Sequence, residues 1–276
     1  MQGKTLADES INLPVYAYYK PTTPLYKSEP ALWILGGIHG EEPAGPQALA
    51  ENIRTIDQLT QNGVPVVFLP LLNPLGYCRD DRYFNAHRNE QPGQSVTDAE
   101  HLLLNLQNPT QPRVSKPNNQ YAAAILNWVL KMLNCYPPLL VIDHHEDELD
   151  RSEVHHTNTV TYSYAHGNME IMGPLCQLIN RAFGENDFII QKNGTTRLGE
   201  RIEEGFVYNS RDGSIDEFFA EPAYFLSGNQ IKPAAAAVFA VETTRDNDMG
   251  IPLADRVAVH KTIIDLYHPL WKKLID

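Results

Sequence analysis

The run Ala31-Leu32-Trp33-Ile34-Leu35-Gly36-Gly37 is apolar at every position, where a strand with one wet face would alternate. A short run of this kind, closed by glycines, belongs in the middle of a sheet covered on both sides, and that requirement selects the α/β class. The run gives way at once to His39-Gly40-Glu41-Glu42, and Pro43 then opens a helix, so His39 and Glu42 fall at a strand's carboxyl end. Ligands of open α/β sheets bind along that edge. An imidazole and a hard carboxylate three residues apart in a tight turn can converge on one metal ion, with a third ligand to come from elsewhere. Taken alone, the pair equally suits a helix N-terminal carboxylate beside a polar turn histidine.

The pattern repeats along the chain. Residues 43–59 carry Ala44, Leu49, Ile53 and Ile56 near helical spacing and stop at Asn62-Gly63, so strand, turn and helix form a βαβ unit with the apolar run of 66–72. That second strand leads into a Pro/Gly turn, Asn73-Pro74-Leu75-Gly76-Tyr77, and then into Arg79, Arg82 and Arg88. Local Asp–Arg pairs on a solvated loop would account for these arginines without any function. Residues 90–119, rich in Gln, Asn, Pro and Ser, read as a long covering loop. A helix over 121–135 with Ile125, Trp128, Val129, Met132 and Leu133 inward is stopped by Pro137-Pro138.

The third strand, 139–142, ends in Asp143-His144-His145-Glu146-Asp147-Glu148. Strand alternation sends Asp143 and His145 one way and His144 the other, which makes this cluster the source of the missing ligand and Asp143 a group to orient it. A charged surface turn would have the same composition. Beyond it, His155-His156 reads as polar packing, and 157–164, alternating polar and aromatic, as a strand lining a cleft. A helix over 168–183 and a short strand at 188–190 precede a Gly-, Asn- and Thr-rich region that contains Tyr208, Asp212-Gly213-Ser214 and Tyr224 and reads as a cover over a site. The last strand, 236–241, delivers Glu242, and a helix over 253–270 closes the chain. A carboxylate just past an apolar strand is partly desolvated, which raises its pKa and suits it to general-base work. A salt bridge to Arg245 is the plainer role for it.

Charge and cysteines narrow the partners. With 22 basic against 34 acidic residues the net charge is −12, and no basic stripe is available for a phosphate backbone, so nucleic acid is not expected. The first ten residues lack the apolar core of a secretory signal and no stretch approaches the ~20 apolar residues of a membrane span, so a soluble, cytoplasmic protein without a membrane partner is expected. Cys78, Cys135 and Cys176 show no CxxC spacing and suggest neither a disulfide framework nor a thiolate zinc site. Hydrophobic residues at 42% of 276 suffice for one large domain over 1–276.

Taken together, His39-Gly-Glu-Glu42, Asn73-Pro-Leu-Gly76, Arg82, Arg88, Asp143-His-His145 and Glu242-Thr-Thr resemble the zinc carboxypeptidase superfamily, which includes metallocarboxypeptidases, bacterial murein-peptide amidases and the aspartoacylase/succinylglutamate desuccinylase branch. The resemblance spans about residues 31–260 in the family's motif order. It implies His39, Glu42 and His145 as ligands of one Zn²⁺ per chain and Glu242 as catalytic base. It also implies Arg82, nine residues after Asn73, as the oxyanion-stabilising arginine, with Arg79 as fallback. The family's Asp-x-Asn-Arg, which grips a substrate carboxylate, is shortened here to Ala86-His87-Arg88-Asn89, so Arg88 matches and His87 replaces the asparagine. The family's flexible-loop tyrosine corresponds to Tyr208 or Tyr224.

The expectation is therefore an α/β zinc hydrolase with a mixed, largely parallel sheet. It would cleave an amide bond near a free carboxylate of a small peptide, as a metallopeptidase of carboxypeptidase type. The first alternative is an N-acyl amino acid deacylase of the aspartoacylase or desuccinylase type, although the chain runs almost directly from Glu242 into a closing helix where that branch often carries an extra β domain. The second is a binding module that keeps the fold without turnover. The oligomeric state is not legible.

Overall fold

The computed structural model describes residues 18–20, 28–82, 120–147, 160–196, 198–210, 214–221, 223–224, 231–245 and 251–276. His87, Arg88, the loop 90–119, His155, His156 and Asp212 lie outside the described residues.

In chain order the elements are β1 (Tyr18–Lys20), β2 (Ala31–Gly36), α1 (Ala44–Glu51), α2 (Ile53–Gln61), β3 (Val66–Leu69), α3 (Pro74–Arg79), α4 (Gln120–Cys135), β4 (Pro138–Asp147), β5 (Val160–Gly167) and α5 (Met169–Glu185). They continue with β6 (Ile189–Ile190), β7 (Asn193–Thr195), β8 (Arg201–Glu203), β9 (Phe206–Tyr208), α6 (Ile215–Ala220), β10 (Ala223–Tyr224), β11 (Ile231–Lys232), β12 (Ala237–Thr244) and α7 (Leu253–Ile275). Among the described residues ten strands form one sheet in the order β1-β3-β2-β4-β12-β5-β9-β8-β7, with β6 also paired to β5. β3, β2, β4 and β12 run parallel, while β1 and β5 join antiparallel, so the sheet is mixed and largely parallel. From β2 the chain passes to β3 on one side and later to β4 on the other. That reversal makes the carboxyl ends of β2 and β4 a topological switch point, the place where ligands of such sheets are generally held.

Both faces are covered, which is why the central strands show no polar alternation. On the back face Leu32, Ile34, Leu140, Ile142, Phe239 and Val241 pack against α1, α2, α5 and α7. On the front face Trp33, Leu35, Val141 and Val238 pack against α4 and α6 through Val129, Met132, Phe218 and Phe219. Each such side chain contributes roughly 1.5–3 kcal/mol on burial.

Four details depart from the sequence expectation. The helix over 43–59 is two helices, broken where Asn52 leaves helical dihedrals (φ −109°, ψ 20°) and its side-chain amide donates to the Ala48 carbonyl. The break leaves Ile53 exposed and turns Leu59 inward. Asn73-Pro74-Leu75-Gly76 opens a short helix, capped by Asn73 Oδ1 accepting from the Gly76 N–H at 2.8 Å. The polar clusters after the third and last apolar runs lie inside strands, since the ladder between β4 and β12 continues in register from Leu140 opposite Ala237 to Asp147 opposite Thr244. α7 runs past Leu270 to Ile275 with Pro269 inside it. Among the described residues no helix is long and apolar enough to cross a membrane.

Candidate metal centre

The carboxyl end of β2 is held to α3 by close backbone contact. Gly40 donates its N–H to the Arg82 carbonyl at 3.1 Å, and the same carbonyl accepts from the Asn73 side-chain amide at 2.9 Å. A Cβ on Gly40 would stand 2.1 Å from the Gly76 carbonyl carbon, so only glycine lets the turn approach this closely. The turn that carries His39 and Glu42 and the segment that carries Arg82 are thereby fixed to one another.

β4 brings the third group. His39 Nδ1 stands 2.7 Å from Glu42 Oε1, His145 Nδ1 stands 3.0 Å from Glu42 Oε2, and the two ring nitrogens are 3.2 Å apart. All three residues are buried, and their donor atoms lie within 4.8 Å of one another. A tetrahedral ion with bonds of about 2.0–2.2 Å separates its donors by roughly 3.3–3.6 Å, so little adjustment would be needed. On the far side of the ring, Asp143 Oδ2 lies 3.0 Å from His145 Nε2, an ion-pair contact poorly aligned for a hydrogen bond. It fixes which nitrogen faces the cluster.

The electrostatics favour a cation here. Burial alone would raise the carboxyl of Glu42, but His39 and His145 overcome it and hold the group well below the ordinary carboxylate range. Burial alone would lower His145, yet Asp143 and Glu42 hold the ring well above the ordinary histidine range. A proton and a metal ion would compete for the same position. Two histidines and one carboxylate leave a fourth position open, the donor set of catalytic zinc sites.

Glu242 is the register partner of His145 across β4 and β12, and of Tyr162 across β12 and β5. Its side chain therefore shares the front face with the triad. The carboxylate is buried and its Oε2 has no hydrogen-bond partner among the described residues. Burial raises its pKa well above the ordinary range; His145 opposes this, and Glu42, Asp147 and Asp216 add to it. Arg82 Nη1 lies 3.1 Å from both Glu41 Oε1 and Glu42 Oε1, which points the guanidinium at the triad.

The structure thus brings His39, Glu42, His145, Glu242 and Arg82 together. Arg79 sits exposed at the end of α3. Tyr208 is not brought to the cluster: it packs on the back face with its hydroxyl against Cys176. The backbone of Tyr224 pairs in β10 with β11. Two tyrosines of β5, Tyr162 and Tyr164, on the alternating stretch read as a cleft wall, share the face of β12 that carries Glu242, and they donate to Asp147 at 2.5 Å and Glu200 at 2.8 Å. Period-two alternation signals that wall, but nothing local pairs it with Glu242.

No protein-family model and no curated protein matches this chain. Solved structures do. A candidate metallopeptidase from Shewanella amazonensis is 21% identical with a TM-score of 0.65, the match covering 96% of this chain and 85% of that one. A metallo-carboxypeptidase from Pseudomonas aeruginosa, in complex with (2-guanidinoethylmercapto)succinic acid, is 15% identical with a TM-score of 0.54, over 95% of this chain and 62% of that one. The product-bound cell shape determinant protein Csd4 from Helicobacter pylori is 14% identical with a TM-score of 0.52, over 95% and 55%. At these identities the likeness is one of fold: the chain shares the α/β fold of these structures.

Proposed function

We propose that this protein is a zinc-dependent metallopeptidase of carboxypeptidase type that hydrolyses an amide bond near a free carboxylate of a small peptide. The observation that carries the reading is the register of β12 on β4, which sets a buried Glu242 carboxylate, its Oε2 without a hydrogen-bond partner among the described residues, directly beside His145 of the His39/Glu42/His145 cluster. The likeness of fold to metallopeptidase structures supports it.

His39, Glu42 and His145 would hold the ion. Zinc at that position supplies Lewis acidity and lowers the pKa of a water molecule to about 7. Glu242 accepts the proton of the attacking water and returns it to the leaving amine, a role its desolvated carboxyl is suited to. Arg82 faces the developing oxyanion, where a single donor typically lowers the barrier by about 3 kcal/mol. Asp143 keeps the His145 ring oriented. Arg88 and His87 remain candidates for recognising the substrate carboxylate.

The test is hydrolysis by zinc-loaded protein, with Glu242→Gln as control, across C-terminal peptides, murein peptides and N-acyl amino acids. Release from peptides that falls by roughly 10²–10⁴ in the variant is expected. Release from acyl amino acids alone would move the protein to deacylase chemistry, and equal silence of both proteins with zinc bound would leave a binding module.

A further inference from the structure

Behind the triad, on the back face of the sheet, lies a second polar cluster that the proposed chemistry does not use. Glu146 follows His145 in β4 and turns to that opposite face. Its carboxylate is buried, and three elements meet on it. Oε2 accepts the N–H of Ala44, the first residue of α1, at 2.8 Å. Oε1 takes the guanidinium of Arg256 from α7, and the Thr243 hydroxyl, beside Glu242 in β12, approaches the same oxygen at 3.5 Å. The main chain of Glu146 reaches the front: its N–H donates to Glu42 Oε2 at 3.1 Å, the oxygen that also faces His145.

Glu146 therefore grips the turn of His39 and Glu42 twice, once at the carboxylate of Glu42 and once at the helix start two residues beyond it. The seating has no slack. A Cβ on Gly45 would stand 2.6 Å from the Cβ of His144, so α1 begins in direct contact with β4 and cannot move inward. An outward move of Ala44 would draw Glu42 away from His145. A buried charge pair of this kind is a weak source of stability, and apolar residues of similar size often do as well, so fold stability is a poor reason for Glu146 and Arg256 to be here.

We propose that Glu146 is a positioning residue for the metal centre, with Arg256 as its counter-charge, so that α7 latches the site from behind the sheet. The inference rests on the metal-binding reading above. Groups that orient ligands from behind typically change metal affinity by about 10- to 100-fold when removed.

The experiment measures zinc affinity by chelator competition and the absorption spectrum of the Co²⁺-loaded protein, for wild type, Glu146→Leu/Arg256→Leu, Glu146→Asp and Arg256→Lys. The double variant leaves no buried unpaired charge and is expected to stay folded, with affinity lower by about 10- to 100-fold and a shifted Co²⁺ spectrum. Glu146→Asp keeps the charge but withdraws the carboxylate from Ala44, so a several-fold loss is expected there also; Arg256→Lys should restore near-wild-type values. A purely structural role would lower the melting temperature and leave affinity and spectrum unchanged in every folded variant, which overturns the proposal. Should the double variant not fold, Glu146→Asp decides alone. Wild-type protein that binds neither ion would instead overturn the metal reading, and the proposal with it.

Discussion

His144 and His145 are neighbours in β4, both buried, and differ only in which side of the sheet they face. On the back face His144 sits between Tyr267, whose hydroxyl is 2.5 Å from Nε2, and His260, whose Nδ1 is 3.0 Å from its own. Burial, with the charges of His260 and His145 adding to it, holds its pKa well below the ordinary range. On the front face His145 lies between two carboxylates, and burial is overcome in the other direction. One step along a strand separates a site that rejects a positive charge from one that attracts it. Burial sets the stakes for an ionisable group, and its neighbours decide the sign.

The comparison is most readily broken by exchanging the roles of the two rings. His145→Ala should abolish stoichiometric zinc binding, with an affinity loss above the roughly 100-fold that removing an orienting group produces. His144→Leu should retain the metal and lower the melting temperature, since Tyr267 and His260 lose their partner. Metal content of the purified variants reads both. The reverse pattern would mean that the back face holds the ion.

Two further substitutions sharpen the front-face half. Arg82→Met should cost about 10²- to 10³-fold in kcat while zinc content is unchanged, as expected for an oxyanion donor. An equal fall in zinc affinity would make Arg82 only a partner of Glu42. Asp143→Asn removes the charge behind His145 and should weaken zinc by about 10- to 100-fold in chelator competition.

Much of the front face is legible in the sequence, because the strand period assigns Asp143 and His145 to one side and His144 to the other before any contact is known. The turn His39-Gly40-Glu41-Glu42 is likewise marked by the apolar run before it. What hydropathy does not show is that β4 and β12 continue through their polar residues to Asp147 and Thr244. Polar side chains end a strand by composition, yet here the parallel ladder persists through them, and only some are met across the sheet, since Asp143 Oδ2 and Glu242 Oε2 find no hydrogen-bond partner among the described residues. Tyr162 meets Asp147, and Thr161 donates to the Glu242 carbonyl. The back-face cluster is still less legible: Glu146 and Arg256 are 110 residues apart, and His260 and Tyr267 read as ordinary members of an amphipathic helix until α7 packs on β4.

The smallest effect concerns the back face in acid. His260 is fully buried, and its ring faces His144 Nδ1, the Thr243 hydroxyl and, at longer range, the charges of Arg256, His145 and Glu42. Burial, aided by His145 and Arg256 against Glu42, lowers its pKa to about 3. In the unfolded chain the same ring titrates near 6.5. The unfolded state therefore binds the extra proton first as pH falls. The contribution of His260 to stability is complete above about pH 6.5 and is lost progressively between there and pH 3. Near pH 5 the slope from this one group approaches about 1.4 kcal/mol per pH unit, and the loss from pH 6.5 to 5.5 is about 1 kcal/mol. Denaturant melts of zinc-saturated wild type and His260→Leu over pH 5–7.5 isolate it, since protons at His145 act in the opposite sense and are displaced by the metal. Wild type should lose stability more steeply than the variant as pH falls. Parallel curves would show that His260 takes up its proton inside the fold, and the back face would then tolerate the charge that the geometry of Tyr267, His144 and His260 denies it.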